Sequence, residues 1–461
     1  MRSRPRVAPR SVRAVALPFA LATAVILGWV PVVALGQPVG DERQINQLGQ
    51  GDQQAPDLTP LPGGGFMVVW HGPASPGDDG DGDAVVGRRV DTDGNPAGPE
   101  LQVNSTTVYS QRVPRVSSWG DGSFVVSWVT PAMGNKGLVP SLRGRPFDAT
   151  GAPSGGDFQV TIVPNIYTTI VGHDLETGAS GEFVVAVSEF YNSYTGFFSS
   201  SLASRRHDIT GSLLSQDLLS GGGAEWISPR LDGDVASSRG SGEFVVAWHL
   251  ETYGFGYVEI QAARLDASGT QVGSRVEIFG GTDSIGGDSA APALGPDGDF
   301  VVAWSGFDFV YGSTERVYGQ RVDAANQPAP GGPQQVNAFA GTSHRGVGIA
   351  RGGDGGLLAV WQALEPPGDP GTGILGRFLA ADGTPVAEEF AVNASTAGDQ
   401  LRPVVEAAAD GRSFLVAWQS EAGDGTDGDG FSIRARRVIS PGIFADGFES
   451  GDLDAWSSSG P

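Results

Sequence analysis

The sequence predicts an all-β fold, a seven-bladed β-propeller of four-stranded antiparallel blades, and three observations support this prediction. A short apolar phrase recurs seven times at an even period, turn-forming residues are abundant, and no long stretch shows the 3.6-residue rhythm of a helix. The 461 residues include 71 Gly, 31 Pro and no Cys, and 39% of them are hydrophobic. That composition supplies many turns, yet it is too apolar for a disordered chain.

The recurring phrase is a Phe or Leu followed by branched apolar residues and usually a Trp. Its copies begin 56 to 61 residues apart, at Phe66, Phe124, Phe183, Phe244, Phe300, Leu357 and Phe414. Nearly continuous apolar character predicts a strand that is buried on both faces. We therefore expect the recurring Trp residues, such as Trp304, to pack in the core rather than to form platforms for sugars.

Each copy carries three further segments around this phrase. An alternating run such as residues 114–118 precedes it, a run ending in Arg-apolar-Asp such as Arg89-Val90-Asp91 follows it, and a run such as residues 100–104 comes last, after a Gly-containing turn. Four strands joined by hairpins form one antiparallel sheet with two apolar faces. Such a sheet cannot bury both faces alone, but sheets stacked radially cover one another, as the blades of a propeller do.

The two ends of the repeat array predict how the ring closes. The seventh copy lacks its fourth strand, and residues 39–46 carry the missing fourth-strand pattern. We expect residues 39–46 to pair with residues 434–438 and to complete the seventh blade, which removes an exposed sheet edge. An open solenoid is the alternative, but it has no reason to begin on a fourth strand.

The N-terminus resembles an export signal. Five arginines without an acidic residue precede an apolar stretch over residues 15–35, and Ala34-Leu35-Gly36 places small residues where a signal peptidase cuts. We expect cleavage after Gly36; an uncleaved anchor is the alternative, since about 20 apolar residues can span a bilayer. The predicted division is a signal peptide over residues 1–36, the propeller over 37–440 and a C-terminal tail over 441–461.

Charge and cysteine content restrict the environment and the partners. Removal of the five arginines takes the formal net charge from −23 to about −28. A strongly acidic surface repels nucleic acid and anionic lipid. We predict a bacterial protein that is secreted or held at the cell surface or in the periplasm, with no membrane span after signal removal and an extracellular protein or glycan as its ligand. Without Cys, an exported chain does not depend on disulfides.

Two acidic loops are the candidate metal sites, with calcium as the expected cation. They follow Trp70 and Trp418 and alternate acidic residues with Gly; the candidate ligands are Asp78, Asp79, Asp81, Asp83, Asp424, Asp427 and Asp429. Calcium takes six to eight oxygens from a flexible loop, but neither loop has the ligand spacing of an EF-hand. A solvated acidic turn is the alternative. Because the first and seventh blades are neighbours in a closed ring, both loops should lie close together on one face.

No catalytic constellation stands out, and we predict a non-enzymatic protein. The five histidines have no metal-ligand spacing, although His71 and His249 each follow a repeat Trp. A Gly-x-Ser-x-Gly nucleophile needs a strand-turn-helix context that this chain does not offer. The recurring third-strand arginines are expected to pair with nearby carboxylates or carbonyls. With 52 acidic residues, carboxylate pairs suited to glycoside hydrolysis arise by chance and cannot be selected.

The repeat also resembles one found in known proteins. Phe-Val-Val-Ala-Trp, Gly-Gln-Arg-Val-Asp-Ala and Gln-Gln-Val-Asn, in that order, resemble repeats of bacterial secreted and surface proteins, many of them calcium-binding, haemolysin-type or adhesin-like chains. The resemblance covers residues 39–438 and implies no assigned reaction. The glycine-rich nonapeptide arrays of such proteins are missing here, so calcium-dependent secretion is not implied. The tail is similar to a short ending of various exported bacterial proteins; a sorting tag and a mobile tail are both open.

The sequence therefore predicts an exported propeller that acts as a binding or structural module. A carbohydrate-active enzyme or lectin that uses the loops of one propeller face is the alternative.

Overall fold

The computed structural model describes residues 37–441 except for 48–50, 74–81, 135–136, 179–180, 193–197, 222–226, 231–234, 238–241, 253–257, 282–286, 309–313, 342 and 422–429. Every regular element in the described ranges is a strand, and together they form seven antiparallel sheets. Among these same residues there is no helix that could span a membrane.

The first strand of the chain, β1 (Gln37–Gln44), belongs to the last blade, and the remaining strands follow in blade order. Blade 1 contains β2 (Gln54–Pro60), β3 (Phe66–Pro73), β4 (Asp83–Val90) and β5 (Leu101–Gln102). Blade 2 contains β6 (Arg112–Ser118), β7 (Phe124–Gly134), β8 (Gly137–Phe147) and β9 (Phe158–Ile162). Blade 3 contains β10 (Thr168–Thr177), β11 (Glu182–Asn192), β12 (Phe198–Asp208) and β13 (Leu213–Gly221).

The second half of the ring follows the same order. Blade 4 contains β14 (Ile227–Arg230), β15 (Val235–Ser237), β16 (Phe244–Thr252), β17 (Val258–Leu265) and β18 (Val276–Gly281). Blade 5 contains β19 (Gly287–Leu294), β20 (Phe300–Asp308), β21 (Thr314–Val322) and β22 (Gln334–Gln335). Blade 6 contains β23 (His344–Arg351), β24 (Leu357–Leu364), β25 (Thr372–Leu379) and β26 (Phe390–Ala391). Blade 7 contains β27 (Gln400–Ala407), β28 (Ser413–Glu421), β29 (Phe431–Ile439) and, as its fourth strand, β1.

The N-terminal strand closes the ring, which confirms the predicted seven-bladed propeller. Strand β1 pairs antiparallel with β29, with Val39 opposite Arg437 and Gln44 opposite Arg434. Just beyond the strand, the Ile45 N–H donates to the Ile433 carbonyl at 2.8 Å. The seam thus joins the start of the propeller to its end by main-chain hydrogen bonds.

The core consists of apolar layers between neighbouring blades. Successive side chains of a second strand point to opposite blades, because side chains alternate along a strand. In β20, Phe300, Val302 and Trp304 pack towards blade 4, whereas Val301 and Ala303 pack towards blade 6. All six repeat Trp side chains are almost fully buried, which confirms their role in packing: Trp70, Trp128, Trp248, Trp304, Trp361 and Trp418.

Two details differ from the predicted repeat. The fourth strands β5, β22 and β26 have only two residues, shorter than the run expected from the sequence. In blade 4 the first strand is split into β14 and β15, which both pair with β16. Blade 3 departs as well, because Val187 stands where the other blades have Trp.

The antiparallel order assigns each connection to one of two faces. The lower face carries the turns from first to second strand and from third to fourth strand. The upper face carries the connections from second to third strand and from each blade to the next. Both predicted Asp-rich loops are second-to-third connections and so belong to the upper face.

Candidate functional site

The lower face is built from nearly uniform turns. Each connection between first and second strands that the structure describes in full has five residues, as in 61–65, 119–123 and 352–356. The same two hydrogen bonds recur there: in blade 2, the Trp119 N–H donates to the Ser123 carbonyl and the Gly122 N–H to the Trp119 carbonyl. Gly122 has φ +86°, a conformation that favours glycine. These turns serve the fold.

The third-to-fourth turns explain the recurring Arg-apolar-Asp phrase. At the equivalent position of blade 2, where Pro146 stands in place of the arginine, Asp148 Oδ1 accepts hydrogen bonds from the N–H groups of Thr150 and Ala152 and from the Thr150 hydroxyl at 2.6 to 2.9 Å. The hydroxyl bond is the main cause that holds the pKa of Asp148 below its usual value. The arginine of the phrase pairs with a neighbouring carboxylate, as Arg321 does with Asp299 at 3.0 Å. Both residues of the motif are therefore engaged in turns and ion pairs.

The upper face varies much more between blades. Its second-to-third connections range from two residues (135–136) to nine (422–430). Loops of variable length on a rigid scaffold are where binding residues concentrate. The upper face is the candidate functional face.

A turn that recurs within the chain joins one blade to the next at this face, and it begins with the Asn of the fourth-strand phrase. We call each such connection between two blades a joint. At the joint between blades 1 and 2, Asn104 Oδ1 accepts from the Val85 N–H at 2.9 Å, and Asn104 Nδ2 donates to Gln111 Oε1 at 2.9 Å. Asn46 and Gln53 pair in the same way at the joint between blades 7 and 1. The Asn side chain thus replaces the ladder beyond the fourth strand, which is why strands β1 and β5 both end two residues before it.

An acidic residue in the fourth strand, or directly before it, binds the backbone of the preceding joint. Glu42 accepts hydrogen bonds from the Ala394 and Ser395 N–H groups at 2.7 and 3.0 Å. Asp157 and Glu389 hold the two N–H groups after Asn104 and Asn337 in the same way. A carboxylate that accepts backbone N–H bonds forms a strong, charge-assisted contact. These carboxylates fix one blade to the next.

The residue after the repeat Trp makes a third contact between blades. His71 Nδ1 accepts from the Val113 N–H at 3.4 Å, and Gln419 Oε1 accepts from the Ala55 N–H at 3.2 Å. Val113 and Ala55 have φ near +50°, which is strained for a residue with a side chain. Arg402 has the same strained backbone, and its N–H donates to Gln362 at 3.0 Å. His71 therefore has the role that glutamine has at two other joints.

Burial keeps three histidines neutral. Desolvation lowers the pKa of His71 and of His344 to about 4, and that of His173 to about 3. For His71, Asp83 opposes this effect, while Arg112 and Arg402 add to it. His71 and His344 accept hydrogen bonds at blade joints, which is a role in the fold.

Of the predicted metal ligands, Asp83 is the one that falls within the described residues. Its carboxylate lies 2.6 Å from Arg112 Nε, and the residue begins strand β4. Glu315 and Arg345 form the equivalent ion pair, at 2.8 Å, between blades 5 and 6. Asp83 thus joins blades 1 and 2. The other predicted ligands lie outside the described residues: Asp78, Asp79, Asp81, Asp424, Asp427 and Asp429.

The stems of the two acidic loops lie beside the same short segment. A Cβ on Gly51 would meet the Pro73 ring at 2.6 Å, and a Cβ on Gly430 would meet Asp52 Oδ1 at 2.5 Å. The Phe431 N–H donates to Asp52 Oδ1 at 3.1 Å. Both loops therefore start from neighbouring points of the upper face. Among the described residues, no group of three or more His, Asp and Glu side chains could hold a metal ion.

Blade 2 carries exposed apolar side chains on the upper face. Strands β7 and β8 pair as far as Gly134 and Gly137, three residues beyond the length of β3. Met133 and Leu138 face each other at the end of this hairpin and are 72% and 46% exposed. A Cβ on Gly137 would lie 4.0 Å from Ile166, which is itself half-exposed. We call Met133, Leu138 and Ile166 the apolar tip; its exposure was not evident from the repeat pattern.

The comparisons with known proteins bear on the fold. No protein-family model and no curated protein matches the chain, so its resemblance to the repeats of secreted bacterial proteins stays a prediction. Among solved structures it is similar to a Dyadobacter fermentans protein of unknown function, at 12% identity and a TM-score of 0.50, over 88% of this chain and 99% of that one.

Two glycosidases are more distant structural neighbours. An α-L-arabinanase of Penicillium chrysogenum is 12% identical over 71% of this chain and 92% of its own, with a TM-score of 0.45. The NanB sialidase of Streptococcus pneumoniae is 10% identical over 88% of this chain and 70% of its own, also with a TM-score of 0.45. At these identities, the similarity shows the fold alone.

Proposed function

We propose that this protein is an exported binding or structural module that presents ligand-contacting loops on the upper face of a rigid propeller. The contrast between its two faces carries this proposal. The first-to-second turns of the lower face repeat with little change, whereas the second-to-third connections of the upper face vary from two to nine residues. Turns that repeat in every blade contribute to the fold, whereas loops that vary in length on one face are typical of ligand binding.

The joints support this role because they hold the loop-bearing blades in fixed positions. Asn104, Asp157 and His71 each bond across a blade boundary on the upper face. Sites are most precise when rigid elements position them. The ligand class that we propose is an extracellular protein or a glycan, because the acidic surface disfavours nucleic acid and anionic lipid.

A binding screen with turnover measured in parallel tests this proposal. The mature chain, starting at Gln37, is incubated with polysaccharides and with cell-surface extracts. We expect retention that falls when Met133 and Leu138 are both changed to Ser. The matched control is Val272→Ser. Val272 is an apolar residue in a lower-face turn, and it is 42% exposed. Equal loss in both variants, or no retention of the parent chain by either material, would count against a binding role of the upper face.

A carbohydrate-active protein is the second candidate, and one aromatic side chain favours it. Tyr167 is 41% exposed next to Ile166 on the upper face. Exposed aromatic rings with a polar end are suited to contacts that combine apolar area with hydrogen bonding. Product release from a polysaccharide during the screen would favour an enzyme, and saturable retention without product would favour a lectin.

Export and calcium binding belong to the same proposal. We expect the protein recovered from the medium or periplasm to begin at Gln37, which N-terminal sequencing reads directly. We also propose calcium bound by the two Asp-rich loops, because their stems flank the same segment, Gly51–Gln53. Hard cations prefer carboxylate oxygens from flexible loops.

A further inference from the structure

The joint between blades 5 and 6 differs from its equivalents by one titratable side chain. Three of the joints pair an Asn with the residue seven positions later, whereas at the joint between blades 6 and 7 Asn393 Nδ2 donates to Asp369 at 3.0 Å. In those three joints, the residue is Gln53 after Asn46 and Gln111 after Asn104, but it is His344 after Asn337. A histidine has therefore replaced a glutamine in an otherwise repeated contact.

The hydrogen bonds fix which form of His344 the joint requires. Asn337 Oδ1 accepts from the Val317 N–H at 2.9 Å, which orients the Asn337 amide. Its Nδ2 donates to the Phe339 carbonyl at 2.8 Å and lies 3.4 Å from His344 Nε2. For Nε2 to accept the second amide hydrogen, the ring must be neutral with its proton on Nδ1, which is buried and has no hydrogen-bond partner among the described residues. When Nε2 binds a proton, two donors face each other and this contact is lost.

The surroundings of His344 oppose a positive charge. The side chain is fully buried, and the Phe339 ring meets it edge-on at 5.9 Å between ring centres. Burial lowers the pKa of His344 to about 4; Arg316 on β21 adds to this, and the backbone of Phe339 opposes it. Next to it, Arg345 is paired with Glu315 of β21 at 2.8 Å.

One further carboxylate faces the same turn. Glu389 accepts from the Ala338 and Phe339 N–H groups at 2.8 and 3.2 Å. Burial raises the pKa of Glu389, so its protonation favours the closed joint as pH falls and opposes the effect of His344. His344 decides the direction, because its pKa falls from the usual 6.5 to about 4.

We propose that the joint between blades 5 and 6 is an acid-sensitive point of the ring, which loosens on protonation of His344 while the joint between blades 7 and 1, where Gln53 and Gln419 make the equivalent contacts, stays closed. The closed joint holds His344 neutral, so its stability is complete above pH 6.5 and declines as pH falls towards 4. A histidine whose pKa is 6.5 in the open joint and about 4 in the closed joint raises the equilibrium constant for opening roughly 100-fold between pH 7 and pH 4. Opening there changes the spacing of the upper-face loops on blades 5 and 6.

Hydrogen–deuterium exchange at several pH values, corrected for the intrinsic rate, tests this proposal on the mature chain. We expect protection of residues 337–347 to fall by 10- to 100-fold between pH 7 and pH 4.5. Residues 51–55, whose joint has Gln53 and Gln419, serve as the internal reference and keep their protection. The joint between blades 1 and 2 is no reference, because His71 accepts from the Val113 N–H there. His344→Gln installs the residue of the equivalent joints, so residues 337–347 should then behave like the reference. Glu389→Gln should leave the acid sensitivity in place, because it removes only the opposing group.

The reciprocal variant keeps the test decisive if His344→Gln fails to fold. Gln53→His should transfer the acid sensitivity to residues 51–55 and leave residues 337–347 as they are in the parent chain. The proposal is wrong if both segments lose protection equally in the parent chain. It is also wrong if Gln53→His changes nothing at pH 4.5, or if His344→Gln folds and remains acid-sensitive at the joint.

Discussion

The seam at Ile45 allows the sharpest test of ring closure. Ile45 is fully buried against Leu58, Trp70 and Ile433, so it packs between blade 7 and blade 1. Ile45→Ala removes three carbons, worth about 2.4 kcal/mol at ~0.8 kcal/mol each. The cavity that remains adds to this loss, and the range for such truncations is about 2–5 kcal/mol. We expect a loss of about 3 kcal/mol in the free energy of unfolding.

Equivalent positions in other blades supply matched controls. Val103, Val336 and Val392 occupy the place of Ile45 and are also fully buried. Val336→Ala removes two carbons, about 1.6 kcal/mol before the cavity, and tests an internal joint. Ile45→Val installs the residue of these blades and should cost about 0.5–1.5 kcal/mol.

Urea unfolding followed by Trp fluorescence and far-UV circular dichroism measures these losses, since the repeat Trp residues lie in the core. Ile45→Ala should lower the transition midpoint for both probes together. The reasoning is wrong if the free energy of unfolding of Ile45→Ala lies within about 0.5 kcal/mol of the parent value while Val336→Ala is clearly destabilised. Residue 45 would then not pack in the seam. That difference is well below the ~2.4 kcal/mol expected from burial alone.

Three further predictions concern the core, a joint and the acidic loops. Trp304→Ala should cost about 3–5 kcal/mol by urea unfolding, because a large side chain leaves a cavity between blades 4 and 5; a loss under 1 kcal/mol would contradict the packing. His71→Ala should cost about 1–3 kcal/mol at pH 7.5, because the Val113 N–H loses its acceptor, whereas His71→Gln should keep most of the stability, since Gln419 makes the same contact. A calcium chelator should lower the thermal midpoint if the Asp-rich loops hold calcium, and an unchanged midpoint would remove the metal proposal.

The repeat period predicted most of the fold because it records the burial of each strand. Phe300, Val302 and Trp304 face one blade and Val301 the other, so the phrase had to be apolar throughout. The seam was predictable for a related reason: residues 39–46 carry the Asn-terminated pattern of a fourth strand. Such patterns are local in sequence, although the contacts that they serve are long-range.

The joints were not predicted, because their bonds link polar residues whose type varies between blades. The fourth strand was expected to run to Asn104, yet it stops at Gln102, since the Asn104 side chain takes over the hydrogen bonding to Val85. A signal was present: glutamine or histidine stands seven residues after Asn46, Asn104 and Asn337. The candidate functional face had no such signal, because the upper loops share neither length nor composition.

The core and the joints contribute differently to the ring, and this difference explains how blades without disulfides keep their positions relative to one another. Apolar burial is non-directional, so the packing between blades tolerates small displacements along a strand. The joint contacts are directional: Glu42 holds two successive N–H groups, and Asn46 holds one N–H and one amide oxygen. A displaced blade would leave the buried partners of Asn46 unpaired, which costs about 1–3 kcal/mol for each. Joint variants should therefore alter local exchange protection more than the total free energy of unfolding, and core variants should do the reverse.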